Sequence, residues 1–238
     1  MQIGPGEVDI QRGGYDRGAF GGTIALVLEW LGRIAIGTLF TALAVANLAS
    51  ICRIGLPGSG LQLLLVAAQL ASFMFLVLVA ATTLTRIAPI RKAKGVQPRV
   101  SALLGAFLSF SLALLPKANL GPLWSIIAIS LTIVGAVSSF VVLRWLGKSF
   151  SIHAEARRLV TTGPYAFVRH PLYICEGIAI LGQMLQVISP LALVITLTIA
   201  LLQFRRMINE ETVLSSAFPE YAEYAARTPR LIPSLRAR

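Results

Sequence analysis

Four long apolar stretches follow one another in the first 143 residues, each bounded by turn-forming or charged residues. Because a helix needs about 20 apolar residues to cross the core of a bilayer, the pattern predicts four membrane helices. The third stretch has only about 15 residues, roughly 22 Å as a helix against a core of ~30 Å. We expect it to lie obliquely, shielded by its neighbours, or to recruit flanking residues. The stretches are Thr23–Ser50, Leu61–Thr85, Ser101–Leu115 and Leu123–Leu143.

A fifth apolar region, Leu172–Leu202, is longer than one ordinary membrane helix and is interrupted by Ser189 and Pro190. Proline is tolerated at the first position of a helix, where its missing N–H has no partner to lose. The region is therefore predicted to form a helical hairpin over residues 172–206. This brings the total to six helices.

The distribution of basic residues supports the hairpin. If the chain turns back at Pro190, only Arg53 and Lys117 among the Lys and Arg residues outside the spans lie on the opposite face from the rest. Positive charge concentrates on the cytoplasmic side of membrane proteins. Both termini are therefore predicted to be cytoplasmic, in a membrane expected to be the bacterial inner membrane. A single crossing would move six tail residues outside, namely Arg205, Arg206, Arg227, Arg230, Arg236 and Arg238.

Composition agrees with a chain surrounded mainly by lipid. Hydrophobic residues make up 56% of the chain and charged residues 13%, with a mean hydropathy of +0.77. Soluble globular domains carry roughly 25% charged residues, so soluble and disordered classes are excluded. The net charge of +11 lies between the spans, which argues against a nucleic-acid partner. The fold class is all-α integral membrane, with a polar segment at 1–22, four helices in 23–143 and a functional region at 144–238.

The densest group of chemically active residues lies just before the hairpin, from Gly163 to Tyr173. Pro171 favours a helix that starts there, so free backbone N–H groups lie beside Arg169 and His170. A helix N-terminus next to basic side chains is a binding site for a carboxylate or phosphate. The alternative interpretation is a basic, aromatic anchor at the membrane interface.

Two adjacent acids, Glu210 and Glu211, follow the returning helix. Helical spacing places Glu211 on the apolar face, whereas Glu210 lies four residues after Arg206 and is predicted to pair with it. A buried carboxylate needs a partner, for which Arg169, Arg227 or a cationic ligand are candidates. No histidine stands at metal-ligand spacing, and the two cysteines, Cys52 and Cys175, form no paired motif, so we predict no metal site.

Other polar residues are assigned from their positions. The tail Phe218–Pro233 is predicted to contain a short helix whose aromatic face anchors it at the membrane interface. Glu29 and Arg33 are four residues apart and are expected to form a structural pair. Glu176 lies one turn inside the hairpin and is a functional candidate, with Arg169 as its possible structural partner. His153 is expected to be a surface residue.

Three motifs in a fixed order resemble the isoprenylcysteine carboxyl methyltransferase family, which consists of integral-membrane enzymes that use S-adenosylmethionine. The resemblance covers about Ser149 to Pro233. One departure is Phe218-Pro219, where many relatives have a glycine and a second acid. The motifs are Leu159 to Tyr165, then Val168 to Tyr173, then Glu210-Glu211 with Leu214, Tyr221, Tyr224, Arg227, Pro229 and Pro233.

The resemblance implies a cofactor site for S-adenosylmethionine in the C-terminal third of the chain. It implies a lipophilic methyl acceptor, which we expect to be a carboxylate of the isoprenylcysteine type, drawn from the surrounding membrane lipids. By motif position, the implied cofactor contacts are Tyr165, His170, Tyr173 and Glu211. The implied catalytic or positioning residues are Arg169, Glu210 and Arg227.

Alternative functions remain open at this stage. A carboxylate acceptor is already ionised and needs only orientation, by Arg169 or Arg227. A phospholipid amine or a small thiol would need deprotonation, for which Glu211 or Tyr173 are the first candidates. More distant alternatives are an NADPH-dependent reductase of the sterol type and a membrane module without enzymatic activity. The oligomeric state is not predicted.

Overall fold

A computed structural model describes residues 19–233, with side chains at position 27 and from 29 onward. The predicted polar segment at 1–22 therefore falls almost entirely outside the described residues, as do Arg12, Arg17, Arg236 and Arg238. The described chain forms seven α-helices, one 3₁₀-helix of seven residues, two shorter 3₁₀ turns and a two-stranded ladder. The helices are α1 (Ala19–Ile54), α2 (Gly60–Thr85), α3 (Gln97–Phe107), α4 (Pro122–Leu146), α5 (Pro171–Gln186), α6 (Pro190–Ala217) and α7 (Tyr221–Arg227).

The prediction of an all-α membrane fold is confirmed. Five segments of the described chain are long and apolar enough to cross a membrane. They correspond to α1, α2, α3 with its 3₁₀ extension, α4 and α6. The remaining helix of the six predicted from the sequence is α5. It has 16 residues and lies between α4 and α6. We call the end of the bundle where α5 begins and α2 ends the site end, and the opposite end the far end.

The short third span gains length in two ways. It begins at Gln97, four residues before the predicted start at Ser101. Its last seven residues, Leu108–Leu114, form a 3₁₀-helix. Because a 3₁₀-helix rises about 2.0 Å per residue against 1.5 Å for an α-helix, the 18 residues reach about 30 Å, the thickness of the hydrocarbon core. The expectation that flanking residues are recruited is confirmed.

The hairpin turns where the sequence predicts it. Ser189 caps α6 by accepting a hydrogen bond of 3.1 Å from the N–H of Ala192, and Pro190 is the first helical residue. The helix α6 then continues past the predicted hairpin boundary at residue 206 to Ala217, in agreement with the helical spacing that placed Glu211 on its apolar face. Glu210 and Glu211 therefore lie on a membrane helix and return to the level where α5 begins.

The helices α4 and α5 pack with their backbones almost in contact. A Cβ on Gly182 would lie 2.6 Å from the backbone N of Thr132, and one on Gly135 would lie 2.6 Å from the Cα of Ala179. Small residues at such crossings allow the close approach that holds membrane helices together. This packing fixes α5, and with it the residues at its start.

Replacing Gly135 with leucine is expected to destabilise the bundle by at least about 1–3 kcal/mol, because the new side chain overlaps the α5 backbone. Gly177→Leu is the matched control, since Gly177 is exposed and a Cβ there meets nothing within 4 Å. The measurement is the thermal unfolding midpoint in detergent. Equal midpoints for the two variants would contradict the close packing of α4 and α5.

The structure contains a two-stranded ladder at the site end that the sequence pattern did not predict. Arg91–Lys92 (β1) pairs antiparallel with Glu155–Ala156 (β2). Such short strands have no alternating apolar pattern to reveal them. The ladder joins the loop after α2 to the loop after α4, and so fixes the segment that precedes the chemically active residues.

Charged side chains tie the ladder to α1 and α2. The expected pair of Glu29 and Arg33 forms at 2.6 Å, and Lys92 reaches the same carboxylate at 2.8 Å. Arg33 also donates to the backbone carbonyl of Arg86 at 3.0 Å. Because Arg33 is buried, these contacts satisfy a charge that would otherwise destabilise the fold.

Candidate functional site

The start of α5 and the C-terminal tail are held together by their backbones. The N–H of Arg169 donates to the carbonyl of Pro229 at 2.9 Å, and the N–H of His170 donates to the carbonyl of Arg230 at 3.2 Å. His170 immediately precedes α5, which begins at Pro171 as predicted. The tail therefore closes over the helix start.

The turn before α5 depends on one glycine. Gly163 has φ +61°, and a Cβ at this position would overlap the ring of Trp145. The following 3₁₀ turn, Gly163–Ala166, buries Tyr165. The hydroxyl of Tyr224 then donates to the carbonyl of Tyr165 at 2.7 Å, which ties α7 to this turn. Burial raises the pKa of Tyr165 well above its usual value and that of Tyr224 to about 12, so both are neutral phenols at pH 7.

Glu211 is the centre of a cluster of basic side chains. Arg169 Nη1 lies 3.1 Å and His170 Nε2 lies 2.9 Å from its Oε1. Arg230 binds both carboxylate oxygens, at 3.0 Å and 2.6 Å. Because a carboxylate only accepts, His170 Nε2 must donate. Of the candidate partners named from the sequence, Arg169 pairs with Glu211. The hydrogen bond with Glu211 raises the pKa of Arg230.

The predicted pairing of Glu210 with Arg206 is wrong. Glu210 instead accepts a hydrogen bond of 3.1 Å from the hydroxyl of Tyr173. Arg206 turns into the bundle, where it donates to Gln203 Oε1 at 3.0 Å and to the carbonyl of Ile152 at 3.3 Å. Its guanidinium also lies over the ring of Tyr173, 5.3 Å from the centroid. The i,i+4 spacing permits the surface pair, but the buried position of Arg206 favours these inward partners.

Arg206 also connects to Glu176. Gln203 donates from Nε2 to Glu176 Oε2 at 2.9 Å while accepting from Arg206, so the amide links the two charged groups. The sequence suggested Arg169 as the structural partner of Glu176, whereas the structure places Gln203 and Arg206 beside it. Gly105 on α3 makes room for this arrangement, because a Cβ there would lie 2.8 Å from Arg206 Cδ.

A narrow polar cavity of about 60 Å³ lies among these elements. Five of the seven predicted site residues line it. They are Tyr165, Arg169, His170, Tyr173 and Glu210. Glu211 does not line it and stands behind His170 and Arg169, its oxygens bonded to three basic groups. Arg227 lies outside the cluster, in an exposed pair with Glu223 at 3.3 Å. Arg230 occupies the position in the cluster that was predicted for Arg227.

Four basic side chains in the cavity wall have buried nitrogens without a hydrogen-bond partner among the described residues, namely His153, Arg157, Arg169 and Arg206. Arg157 binds Glu155 through Nη2, but its Nε and Nη1 have no hydrogen bond within the described part of the chain. The Nδ1 of His153 is in the same state. Burial lowers the pKa of Arg157 and of His153, so His153 is a neutral imidazole at pH 7. The expectation that His153 is a surface residue is wrong.

The tail aromatics also differ from the prediction. Tyr221 and Tyr224 are buried, and their rings pack edge to face with centroids 6.0 Å apart. Both side chains line the polar cavity. They therefore form its wall instead of anchoring α7 at the membrane interface.

A second, larger cavity of about 590 Å³ runs through the bundle from the polar cavity toward the far end. Much of its wall is apolar, with Phe40, Leu76 and Val79 among the lining residues. The two cavities share three lining residues, Phe150, Glu176 and Arg206. At this junction the polar cavity meets the larger one, whose wall is in large part apolar.

Comparisons with known proteins locate the similarity in this part of the chain. The family model for phospholipid methyltransferases matches residues 120–221. The cobalt-zinc-cadmium resistance protein CzcN of Cupriavidus metallidurans is 48% identical over 79 residues, which are 32% of this chain and 36% of that protein. The nickel-cobalt-cadmium resistance protein NccN of Alcaligenes xylosoxydans xylosoxydans is 45% identical over 83 residues, 34% of this chain and 38% of that protein.

The matching segment spans little more than a third of the length of each of these two relatives. The family match is broader, since it begins just before α4 and ends at the first residue of α7. It thus contains the junction, Glu211 and every residue that lines the polar cavity except Tyr224. Residues 120–221 are therefore similar to the phospholipid methyltransferase family, and most of the site described above lies in that region.

Proposed function

We propose that this protein is a membrane methyltransferase that moves a methyl group from S-adenosylmethionine to a lipophilic acceptor. The observation that carries the proposal is the junction at Arg206 and Glu176, where the polar cavity meets the larger one within the bundle. A polar cosubstrate and a membrane-borne acceptor need such a pair of compartments. The match to phospholipid methyltransferases supports the reaction class.

The residues of the polar cavity fit S-adenosylmethionine. Its carboxylate suits the free Nε and Nη1 of Arg157, and its ammonium suits a carboxylate such as Glu210. Its adenine and sulfonium suit the tyrosine rings in the wall. When bound, the cofactor supplies an electrophilic methyl group on sulfur. Because the cavity measures only about 60 Å³, we infer that its wall moves to admit the molecule, and the tail that closes over α5 is the element placed to do so.

The protein's own contribution is to orient the acceptor and to exclude water. Arg206 presents a buried guanidinium at the junction, which suits an acceptor carboxylate. Glu211 fixes His170, Arg169 and the tail, so its role is positional. A carboxylate of the isoprenylcysteine type is the acceptor we propose first. A phospholipid amine is the second candidate, because Glu176 at the same junction is a suitable proton acceptor.

Titration of the purified protein with S-adenosylmethionine and with NADPH tests the class of reaction. We expect binding of the former alone, and binding of NADPH alone would favour a reductase instead. Labelled methyl transfer to a prenylcysteine analogue, to phosphatidylethanolamine and to a small thiol then identifies the acceptor. Methyl esters are released by base, whereas methylated amines and thioethers are stable. Failure to bind either cofactor would overturn the proposal.

The effect of Glu176→Gln is expected to depend on the acceptor. Transfer to an amine should fall by about 100-fold or more, because the base that removes the proton is lost. Transfer to a carboxylate should change by less than about tenfold, because this acceptor is already ionised. The measurement is the initial rate with each acceptor at saturating S-adenosylmethionine. Equal losses with both acceptors would show that Glu176 is structural.

The site end is proposed to face the cytoplasm, because basic residues concentrate there. We expect a cysteine at Arg158, on the site end, to react with a membrane-impermeant maleimide only after the cells are opened. A cysteine at Lys117, on the far end, should react in intact cells. Both substitutions are made in a Cys52→Ala, Cys175→Ala background. The reverse pattern would place the site on the outer face.

A further inference from the structure

The larger cavity has more polar side chains in its wall than a plain hydrocarbon chain requires. Carboxamides and hydroxyls alternate with apolar residues along its length. Within the hydrocarbon layer an unsatisfied polar group is destabilising, so such a lining indicates that something polar occupies the cavity. The carboxamide and hydroxyl side chains are those of Asn47, Ser50, Gln69, Ser72, Ser109, Thr132, Ser139, Gln183, Gln186 and Gln203. The charged residues in the wall are Lys117, Glu176 and Arg206.

Three oxygen atoms in this wall are buried without a hydrogen-bond partner among the described residues. They are Asn47 Oδ1 on α1, Gln69 Oε1 on α2 and Ser139 Oγ on α4. Ser139 is only 1% exposed. Because buried polar atoms in proteins almost always have a partner, three exceptions around one cavity point to hydrogen-bond donors supplied by its occupant.

Other polar groups in the same wall are satisfied internally. The hydroxyl of Ser72 donates to the carbonyl of Ala68 at 2.9 Å, and Gln186 Nε2 donates to Thr132 Oγ1 at 3.1 Å. Satisfied and unsatisfied groups thus occur side by side. The three free oxygens are therefore a selective feature of the wall and provide the contrast for a matched control.

The free oxygens lie at two depths. The contacts of Gly135 with Ala179 and of Gly182 with Thr132 set an antiparallel register that places Ser139 near the level of Glu176. Val79 and Phe40 belong to the same core cluster as Phe150 of the junction. Gln69 lies ten residues before Val79, about 15 Å toward the far end. Asn47 lies seven residues after Phe40, about 10 Å in the same direction. One free oxygen is therefore close to the junction, and two lie farther along the cavity.

We propose that the acceptor is an amphiphile with hydroxyl or amide groups along its body, which donate hydrogen bonds to Ser139, Asn47 and Gln69. An unbroken hydrocarbon chain, the isoprenoid of an isoprenylcysteine included, would leave these oxygens unpaired, so the inference keeps the acceptor carboxylate proposed above and replaces the isoprenoid body with one that carries donors. The cavity of about 590 Å³ lies within the range of small-molecule sites, which combine an apolar wall with a few polar groups. The inference rests on the proposed function, because only methyl transfer at the junction makes this cavity an acceptor site.

Two probes of equal length test the inference by direct binding. Octadecanoic acid has a plain chain, and a hydroxyoctadecanoic acid with its hydroxyl near mid-chain offers a donor at the required depth. Dissociation constants are measured by calorimetry for the wild type and for Asn47→Leu/Gln69→Leu in the same detergent. We expect the preference for the hydroxy acid to be about two- to tenfold greater in the wild type, the contribution of one or two hydrogen bonds.

The quantity compared is the ratio of the dissociation constants of the two acids for each protein variant. The two acids partition differently into detergent, but this difference is the same for every variant and therefore cancels in the comparison. Ser72→Ala is the matched control, because it removes a cavity hydroxyl that already has a partner, and it should keep the wild-type preference. Gln69→Leu alone serves if the double variant does not fold. Equal ratios in wild type and variant, or no binding of either acid, would overturn the inference and indicate that the polar wall holds water.

S-Adenosylmethionine titrations on the same preparations separate this inference from the proposed function. A hydroxyl preference without cofactor binding would support the cavity assignment and contradict methyl transfer. Cofactor binding without a hydroxyl preference would support methyl transfer and contradict the cavity assignment. Asn47 and Gln69 lie far from the polar cavity, so their substitution is expected to leave cofactor affinity unchanged.

Discussion

Replacing Arg206 with glutamine is expected to lower kcat/KM for methyl transfer to a carboxylate acceptor by about 100-fold, because the guanidinium that binds and orients the acceptor carboxylate is lost. Arg206 lines both cavities and carries the buried positive charge at their junction. Cofactor affinity should fall by less than about tenfold, because Arg157 and the start of α5 remain. Initial rates and calorimetric titration measure the two effects.

Arg205→Gln is the control for this substitution. It removes the same charge from the neighbouring position, where the side chain is exposed. We expect its rates to stay within about twofold of the wild type, since exposed charges contribute little. Glutamine at 206 can still bond to Gln203, which limits the structural damage. Equal rates for Arg206→Gln and the wild type would contradict the assignment of the junction as the reaction centre.

The fold was largely predictable because membrane helices are specified by composition. The apolar stretches, the break at Ser189 and Pro190, and the placement of basic residues gave six helices and the position of the turn. The hairpin boundary at residue 206 follows the charges, whereas the spacing that placed Glu211 on an apolar face already indicated that α6 continues, as it does to Ala217. Charged residues signal the end of a span, yet the helix itself continues as long as its buried face finds partners.

The site was predictable where the residues adjoin in sequence. Tyr165, Arg169, His170 and Tyr173 surround one turn and one helix start, so local geometry alone brings them to one cavity. Residues that reach the site from afar were missed. Arg157 and Arg230 lie in segments without periodicity, and only the ladder at Glu155–Ala156 and the backbone bonds of Pro229 and Arg230 place them.

Arg206 and Arg227 show why charge spacing alone misleads. Both stand four residues from a glutamate, which is the spacing of a helical ion pair. Arg227 forms that pair with Glu223 on an exposed face, whereas Arg206 is 8% exposed and takes partners inside the bundle. Burial separates the two, and burial depends on tertiary packing. The available signal for Arg206 was its position on the apolar face of α6, where a basic residue is unusual.

Replacing Glu211 with glutamine is expected to release the tail. The carboxylate is the shared partner of Arg169, His170 and Arg230, and its loss leaves three donors competing for one amide oxygen. We expect a loss of about 1–3 kcal/mol in stability, with the Arg230 part reduced because that side chain is 36% exposed. The thermal midpoint in detergent should fall, and protease should cut the segment 218–233 faster.

Because the tail walls the polar cavity, the same substitution should weaken S-adenosylmethionine binding by about tenfold or more, although Glu211 does not line that cavity. Arg230→Gln should reproduce part of both effects, and the double variant should fall short of their sum, since the two residues form one contact. Arg227→Gln is the control, expected to change stability by less than about 0.5 kcal/mol because its pair with Glu223 is exposed. A loss of activity in Arg227→Gln with no effect of Glu211→Gln would restore the catalytic role that the sequence assigned to Arg227. It would also contradict the proposal that Glu211, through its contacts with Arg169, His170 and Arg230, holds the tail closed over α5.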